Sequence, residues 1–443
     1  MSNLEAAAPA FPFLGPILAA IAVWFSWRAC KRQRLIDTLP TSKVQGVFIG
    51  LVELNGTAET DTPVTSFLAE LTCVHYAYKV EEKWSRQVTS EETDSEGRTR
   101  TVTRTETGWT TVASGGQSIP FYLKDDTGLI LIQLEGAEID PESVFDELCT
   151  PLNPLYYAKG PAAAIIDSDM ERRFTEQVIR YQAQVFVVGQ ARERADKVEP
   201  EIAADPQAEM FLISVRSEKE VARSYRFHFW GFGVSSIFLA AAGCLAHDAA
   251  LHFRENIDPF IYAALGSAFL FIWLIGWMVV VYNSIVSLRQ RVRQGWAQID
   301  VQLKRRFDLI PNLVNIVQGY KQYEAETQTV LADLRHQLEA TPPGQAGDDF
   351  QAVTPEIRLV AERYPDLKAS ESFLNLQKSL ADTETRIALA RSYFNDIATF
   401  YNTRLESVPD CWIATLGVFK PETLMEANGF EREPVSISLS STK

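Results

Sequence analysis

Three long apolar runs constrain this chain more than any other feature. They extend from Phe11 to Trp27, from Phe227 to Ala246 and from Pro259 to Tyr282. A helix that crosses a bilayer needs about 20 mostly apolar residues, with about 17–25 tolerated. Each run fits that length, so the sequence predicts transmembrane helices at 11–27, 227–246 and 259–282. The mean hydropathy of the whole chain, −0.07, hides them because strongly polar blocks lie between. A cleaved signal peptide is the competing reading of the first run. Such peptides carry positive charge ahead of the apolar stretch. Here residues 1–10 hold no Lys or Arg, and Arg28, Lys31, Arg32 and Arg34 come after the run instead. It therefore reads as an anchor.

Basic residues concentrate on the cytoplasmic side of membrane helices. Arg216, Lys219, Arg223 and Arg226 precede the second run, and Arg289, Arg291 and Arg293 follow the third. Arg254 is the only Lys or Arg in the connection at 247–258. The expectation is a multi-pass protein of the cell (inner) membrane, with a short external N-terminus at 1–10 and an external loop at 247–258. Residues 28–226 and 283–443 then face the cytoplasm. Ser236, Ala240 and Cys244 are small and four apart, a spacing that lets helix backbones approach closely in lipid. They are the candidate packing positions between membrane helices or copies. Tyr262, Trp273, Trp277 and Tyr282 are candidates for an interfacial belt, although Trp273 and Trp277 sit deep for that role. Neither the second nor the third run carries an acidic residue, Lys or Arg at its middle, which weighs against ion or proton transport.

Between the first two runs the chain reads as β-rich, over 44–226. VQGVFIGLVELNGTAE and CVHYAYKVEEKW have strand composition, and RTRTVTRTET alternates as a solvent-exposed ribbon does. Asp94–Gly97 supplies the turn before that ribbon. PFYLKDDTGLILIQL reads as a hairpin turning at Lys124–Gly128. In order, NGTAE, TSFLAELTCVHYAYKVEEKW, PFYLKDDTGLILIQLEGAEI and MFLISVRSEKEV resemble the GIDE domain of a membrane-bound mitochondrial ubiquitin ligase and of bacterial proteins. In that ligase, catalysis belongs to a separate RING module of zinc-binding Cys and His, for which this chain has no counterpart cluster. The resemblance implies a membrane-proximal binding or structural domain.

After Tyr282 the pattern becomes helical. Ile285, Leu288, Val292, Trp296, Ile299, Leu303, Phe307, Ile310, Val314 and Val317 recur at spacings of three and four. No breaker separates this stripe from the third run, so one helix is expected to continue from membrane to cytoplasm, kinked at Pro311. A loop follows at Thr341–Asp349, a short helix opens at Thr354-Pro355 and stops near Tyr364-Pro365, and a long helix starts near Ser370. Its stripe is Phe373, Leu376, Leu380, Ile387, Ala390, Phe394, Ile397, Tyr401 and Leu405. Two such helices form an antiparallel bundle, and the stripe also suits a coiled coil between copies. YNSIVSLRQRVRQGWAQIDVQLKRRFDLIPNLVNIVQGY, YPDLKAS and ARSYFNDIATFYNTRLESVPDCWIATLGVF closely resemble the LemA family. The resemblance implies a membrane-anchored helical bundle at 283–420, followed by a tail at 421–443, and implies no settled biochemical activity. Short family members have one N-terminal span followed directly by the bundle; here a GIDE-like domain and two further spans intervene. The expected fold class is an α+β membrane protein with three transmembrane helices, a β-rich GIDE-like domain and a LemA-like long-helix bundle.

No catalytic, cofactor or metal site is expected. Asp126-Thr127-Gly128 matches the aspartic-protease tripeptide, but that chemistry needs two facing carboxylates and the tripeptide occurs once, so a hairpin turn is the better reading. His247 and His252 flank Asp248, yet a fifth-residue spacing with no third His or Cys is a poor metal site. The five cysteines, Cys30, Cys73, Cys149, Cys244 and Cys411, are scattered and odd in number, which favours reduced thiols. A net charge of −15 with no basic patch beyond the juxtamembrane runs argues against nucleic acid as partner. Arg305, Arg306, Asp308 and Asn312 on one long helix, and Glu384, Arg386, Arg391, Asn395 and Asn402 on the other, are candidate partner or helix–helix contacts; a buried register-setting network is the alternative. The expected function is a non-enzymatic, self-assembling membrane scaffold in envelope stress or membrane organisation, with membrane lipids and further copies as partners. An adaptor or regulatory subunit of another membrane enzyme or quality-control system, with a protein partner, is the main alternative; a hydrolase or ligase is a remote one.

Overall fold

The computed structural model describes residues 11–93, 99–194, 199–206, 208–250, 259–319 and 371–425. The chain divides into two compact units: Thr41–Val221, and a second that joins Met1–Pro40 to Ala222–Lys443.

The unit Thr41–Val221 is built on two sheets. The first contains β1 (Thr41–Ser42), β2 (Gly50–Glu59), β6 (Phe121–Lys124), β7 (Leu129–Ile132), β8 (Glu138–Asp140), β11 (Gln184–Glu193), β12 (Pro200–Ala203) and β13 (Leu212–Ser214). Its path runs β1-β2-β6-β7-β12-β11-β13-β8, and β2 also pairs with β11. That last pairing closes β2, β6, β7, β12 and β11 into a small barrel. Inward residues alternate along each strand, as the pleat requires. Val52, Leu54, Phe121, Leu123, Ile130, Ile132, Val185, Val187 and Ile202 fill the interior. The second sheet orders β3 (Val64–Thr65), β4 (Thr72–Thr93), β10 (Ser168–Arg180) and β9 (Glu142–Cys149), with β5 (Thr99–Ser118) on the far side of β4. The β4–β5 hairpin is paired from His75↔Ser118 to Thr93↔Thr99, whereas β10 leaves β4 at Trp84. The outer half is therefore a two-stranded ribbon, as the alternating Thr and charged residues anticipate; the expected turn at Asp94–Gly97 lies outside the described residues. A short helix, α2 (Leu155–Ala158), covers this sheet.

Two buried ionic staples organise that cover, and both come from β10. Arg172 is fully buried, pairs with Glu82, donates to the carbonyls of Tyr156, Pro161 and Ala163 at 2.7–3.0 Å and lies 4.0 Å over the Tyr156 ring. Glu176 accepts the N–H groups of Phe67, Leu68 and Ala69 and the Ser66 hydroxyl, at 2.7–2.9 Å. Buried charges survive only when their hydrogen-bonding capacity is met. These two residues meet it by pinning loops that have no strand partner.

The second unit is helical: α1 (Phe11–Ile36), α3 (Glu218–Ala250), α4 (Pro259–Gly319), α5 (Glu371–Glu406) and α6 (Asp410–Leu416). Among the described residues two stretches are long and apolar enough to cross a membrane, Phe13–Ile36 and Phe260–Leu309. The expectation of three spans is thereby corrected to two. The second run is helical, but among the described residues α3 does not reach the same apolar density. Gly231, Gly233, Ser235, Ser236 and His228 dilute it, and Arg226 stands at its edge. The three helices touch through glycines. A side chain at Gly15 would come within 2.8 Å of Gly243, one at Gly233 within 2.8 Å of Trp273, and one at Gly276 would collide with Trp27. Of the small residues expected to pack, Ser236 and Ala240 are buried, and the Cys244 side chain lies outside the described residues.

α4 is a single helix of 61 residues. At 1.5 Å per residue it is about 90 Å long, and it runs through Pro311 without ending there. Its buried stripe, Ile285, Leu288, Val292 and Ile299, faces Phe373, Leu380, Ile387, Phe394, Ile397 and Tyr401 of α5. Trp296 meets Phe394 edge-on at 5.4 Å, and the Tyr401 hydroxyl feels Arg289 and Arg293, so the two helices pack antiparallel. Phe307, expected in the stripe, is exposed; the side chains of Ile310, Val314 and Val317 lie outside the described residues, as do the expected loop at Thr341–Asp349, the helix start at Thr354-Pro355 and the tail beyond residue 425.

Candidate functional site

The helical unit contains a cavity of about 420 Å³. Its apolar end is walled by Phe229 and Trp230 of α3 and by Trp273 and Trp277 of α4. The wall is tied together by hydrogen bonds. The Trp27 indole N–H donates to the Trp273 carbonyl (3.2 Å), the Trp273 indole donates to the Ser26 hydroxyl (2.9 Å), and Ser26 donates to the Phe229 carbonyl (2.8 Å). Phe229 stacks on Trp273 with centroids 5.2 Å apart. Indoles need a partner when buried, and this relay supplies one. Trp273 therefore joins helices and Trp277 packs against the same cluster, which accounts for tryptophans placed deeper than an interfacial belt.

The polar end is lined by Arg34, Arg226, Arg404 and Asp410, and Asp37 pairs with two of these arginines. Arg34, near the end of α1, donates to both oxygens of Asp410, at 3.2 and 2.5 Å. Arg404 lies 3.5 Å from Asp410 and 3.7 Å from Asp37, and Arg226 lies 4.0 Å from Asp37. The Arg34 and Asp410 side chains are 9% and 3% exposed. Arg34 Nε is buried and meets no hydrogen-bond partner among the described residues. Nothing in the sequence spacing joins residue 34 to residue 410. In the sequence Arg34 is only one of several basic residues after the first apolar run, and Asp410 carries no signal of its own.

The residues singled out on the long helices are distributed differently. Asn395 and Asn402 act alike. The Asn395 amide exchanges two hydrogen bonds with the backbone of Met425 (3.2 and 2.9 Å), and Asn402 does the same with Glu422 (2.8 and 2.9 Å). The Tyr401 hydroxyl donates to the Lys420 carbonyl at 3.0 Å. The segment after α6 is thus held along α5 by its backbone. Its Phe419 side chain packs on Tyr282, at 5.5 Å, and lies under the Arg289 guanidinium, at 5.1 Å. Arg386 pairs with Asp382 one turn back at 2.9 Å. Arg306 is buried, Glu384 and Arg391 are half-buried, and Arg305, Asp308 and Asn312 are exposed, with Asn312 capping the Asp308 carbonyl at 3.3 Å.

Asp126 is exposed and forms a surface ion pair with Lys43. Its neighbour Asp125 shapes the turn, accepting Thr127 and Gly128 N–H groups at 2.7 and 2.9 Å. Burial pushes the Asp125 carboxyl up, but the hydrogen bonds from Val44, Thr127 and Gly128 outweigh it and hold the group below its ordinary value. Cys73 is pushed up to about 11 by burial, with the Glu176 charge adding to it, and burial also raises Cys149. Both stay protonated thiols, which are poor nucleophiles. Among the described residues no group of three or more His, Cys, Asp or Glu is placed to hold a metal; His252 and the His247 side chain lie outside them.

Comparison with known proteins divides the chain in two. The LemA family profile matches residues 295–439, and the GIDE profile, described as E3 Ubiquitin ligase, matches residues 89–246. Protein LemA of Metamycoplasma hominis is 24% identical over 203 residues, covering 42% of this chain and 92% of that protein. Magnetosome protein MamQ of Magnetospirillum gryphiswaldense is 22% identical over 169 residues, covering 31% of this chain. Magnetosome protein MamQ 2 of Paramagnetospirillum magneticum is 21% identical over 183 residues, covering 34%. This chain spans 62% and 65% of those two magnetosome proteins. No solved structure matches. The C-terminal part thus carries LemA-family sequence, and GIDE-type sequence precedes it.

Proposed function

We propose that this chain is a membrane-anchored, non-catalytic scaffold that self-assembles at the cell membrane. The observation that carries the reading is α4, in which one unbroken helix leads from an apolar segment into the stripe that packs on α5. A hinge between membrane and bundle would suit an enzyme with a moving lid; a continuous rod suits a fixed support. Phe260, Phe271, Phe227 and Phe238 are 64–80% exposed, more apolar surface than water-facing helices normally carry. A lipid environment covers it. The match to Protein LemA and to magnetosome proteins supports a membrane-associated, non-enzymatic protein, while the ligase description attached to the GIDE profile is not carried over, because scattered cysteines cannot form a RING site. Two differently tagged copies, co-expressed and solubilised in mild detergent, should co-purify. Recovery of each tag alone would contradict self-assembly.

The adaptor reading is favoured by the outer half of the β4–β5 ribbon. Beyond Trp84 only β5 pairs with β4 among the described residues, so strand edges are open there to a partner strand. Affinity purification should then recover a stoichiometric second protein, lost when residues 86–106 are replaced by a tight turn; recovery of this chain alone would sink the reading.

A further inference from the structure

We propose that the cavity of the helical unit is a binding site for one anionic phospholipid, with the phosphate on the arginines and the first acyl carbons against the tryptophans. Ligand pockets commonly measure about 300–1,000 Å³, and this one, at about 420 Å³, suits a headgroup with the start of its chains. Its polarity is graded in the way an amphiphile requires. Trp273 and Trp277 belong to the apolar stretch of α4, whereas Arg34, Arg226 and Arg404 gather at the other end. Arginine binds phosphate in a planar, two-point geometry and is less strongly hydrated than lysine, which suits a partly dry site.

Two details favour a negatively charged occupant. Three guanidinium groups line the polar end with one carboxylate, Asp410, while Asp37, outside the lining, pairs with Arg226 and Arg404, so the polar end keeps a positive excess. Arg34 Nε, on a side chain that is nine-tenths buried, has no protein acceptor among the described residues. A buried donor is stabilised only when an acceptor reaches it, and a phosphate oxygen held among these arginines supplies one. Basic groups just inside a membrane also draw anionic lipid from the cytoplasmic leaflet. The proposal rests on the reading of α1 and α4 as membrane helices.

The test uses the full-length chain in a neutral maltoside detergent and titrates dioctanoyl phosphatidylglycerol, read by tryptophan fluorescence and by native mass spectrometry. One lipid should bind saturably and at least tenfold more tightly than dioctanoyl phosphatidylcholine. Arg226→Gln, at an exposed arginine whose removal leaves the Arg34–Asp410 link intact, should weaken binding at least fivefold with unchanged helical content; Arg34→Gln should abolish it. Equal affinity for the zwitterionic lipid, or no effect of Arg226→Gln, would overturn the proposal. Inorganic phosphate competing at the concentration of the lipid would overturn the lipid assignment in favour of a soluble anion. Carbonate extraction of native membranes tests the underlying reading separately: release of the chain defeats that reading, whereas loss of lipid selectivity in a chain that resists extraction defeats only the site.

Discussion

Asp410 and Arg34 show how much a single buried pair carries in the helical unit. Their attraction is repaid only while both charges are present. Asp410→Asn leaves Arg34 charged and nearly dry, and removing one partner of such a pair costs about 3–5 kcal/mol. Thermal unfolding in detergent should therefore show a clearly lower transition temperature for Asp410→Asn, with Asp410→Glu, which keeps the charge, losing less; an Asn transition within a degree of the parent would refute the pairing. Glu53 gives a second prediction. Burial pushes its carboxyl up to about 8 from an ordinary 4.5, the Thr41 hydroxyl pulls it back and the Glu218 charge raises it further. The folded state thus holds the proton more tightly than the unfolded one. Stability linked to Glu53 is fully present below pH 4.5 and is lost as pH rises towards 8. Glu53→Gln should hold its transition temperature across that window while the parent declines; parallel declines would exclude Glu53 as the titrating group. Neither residue was legible beforehand. Glu53 sits among strand residues whose composition gives only the alternation, and the partner of Arg34 lies 376 positions away.

Elements were more legible, because period and turn chemistry are local. The hairpin at Lys124–Gly128 and the alternating ribbon follow from side-chain types over a few residues, and β6, β7 and β5 occupy those places. The stripes of α4 and α5 follow from spacing alone. What spacing cannot show is a side chain that reads backbone. Asn395 and Asn402 were expected to meet polar residues across the helices; they hold the backbone of Glu422 and Met425 instead. Asparagine carries one donor face and one acceptor, which matches a peptide group whatever its side chain. Asn402→Ala removes two hydrogen bonds, each worth about 0.5–1.5 kcal/mol net. Hydrogen exchange at the Glu422 amide should accelerate by about tenfold or more in this variant, since 1.4 kcal/mol is a factor of ten; an unchanged rate would show that Phe419 alone holds the segment. The length of the second apolar run predicts a span, but Gly231, Gly233, Ser235 and Ser236 lower its apolar density below that of the other two. Those glycines are where the helices meet. Gly276→Leu should collide with Trp27 and lower the transition temperature, as overpacking typically costs about 1–3 kcal/mol; retained stability would mean that α1 and α4 do not touch there.

At the level of the whole molecule, the composition told little, since a net charge of −15 and an average hydropathy describe no assembly. The apolar runs and the two family resemblances indicated a β-rich part and a helical part, and the two compact units have those characters. The cavity lined by α1, α3, α4 and the turn before α6 was invisible, because its walls come from four separated segments. Self-assembly is the claim on which the scaffold reading turns. Native mass spectrometry of the full-length chain released from lipid discs counts subunits directly. The account predicts a defined oligomer of two or more copies at micromolar concentration; a single copy per disc across that range would contradict it.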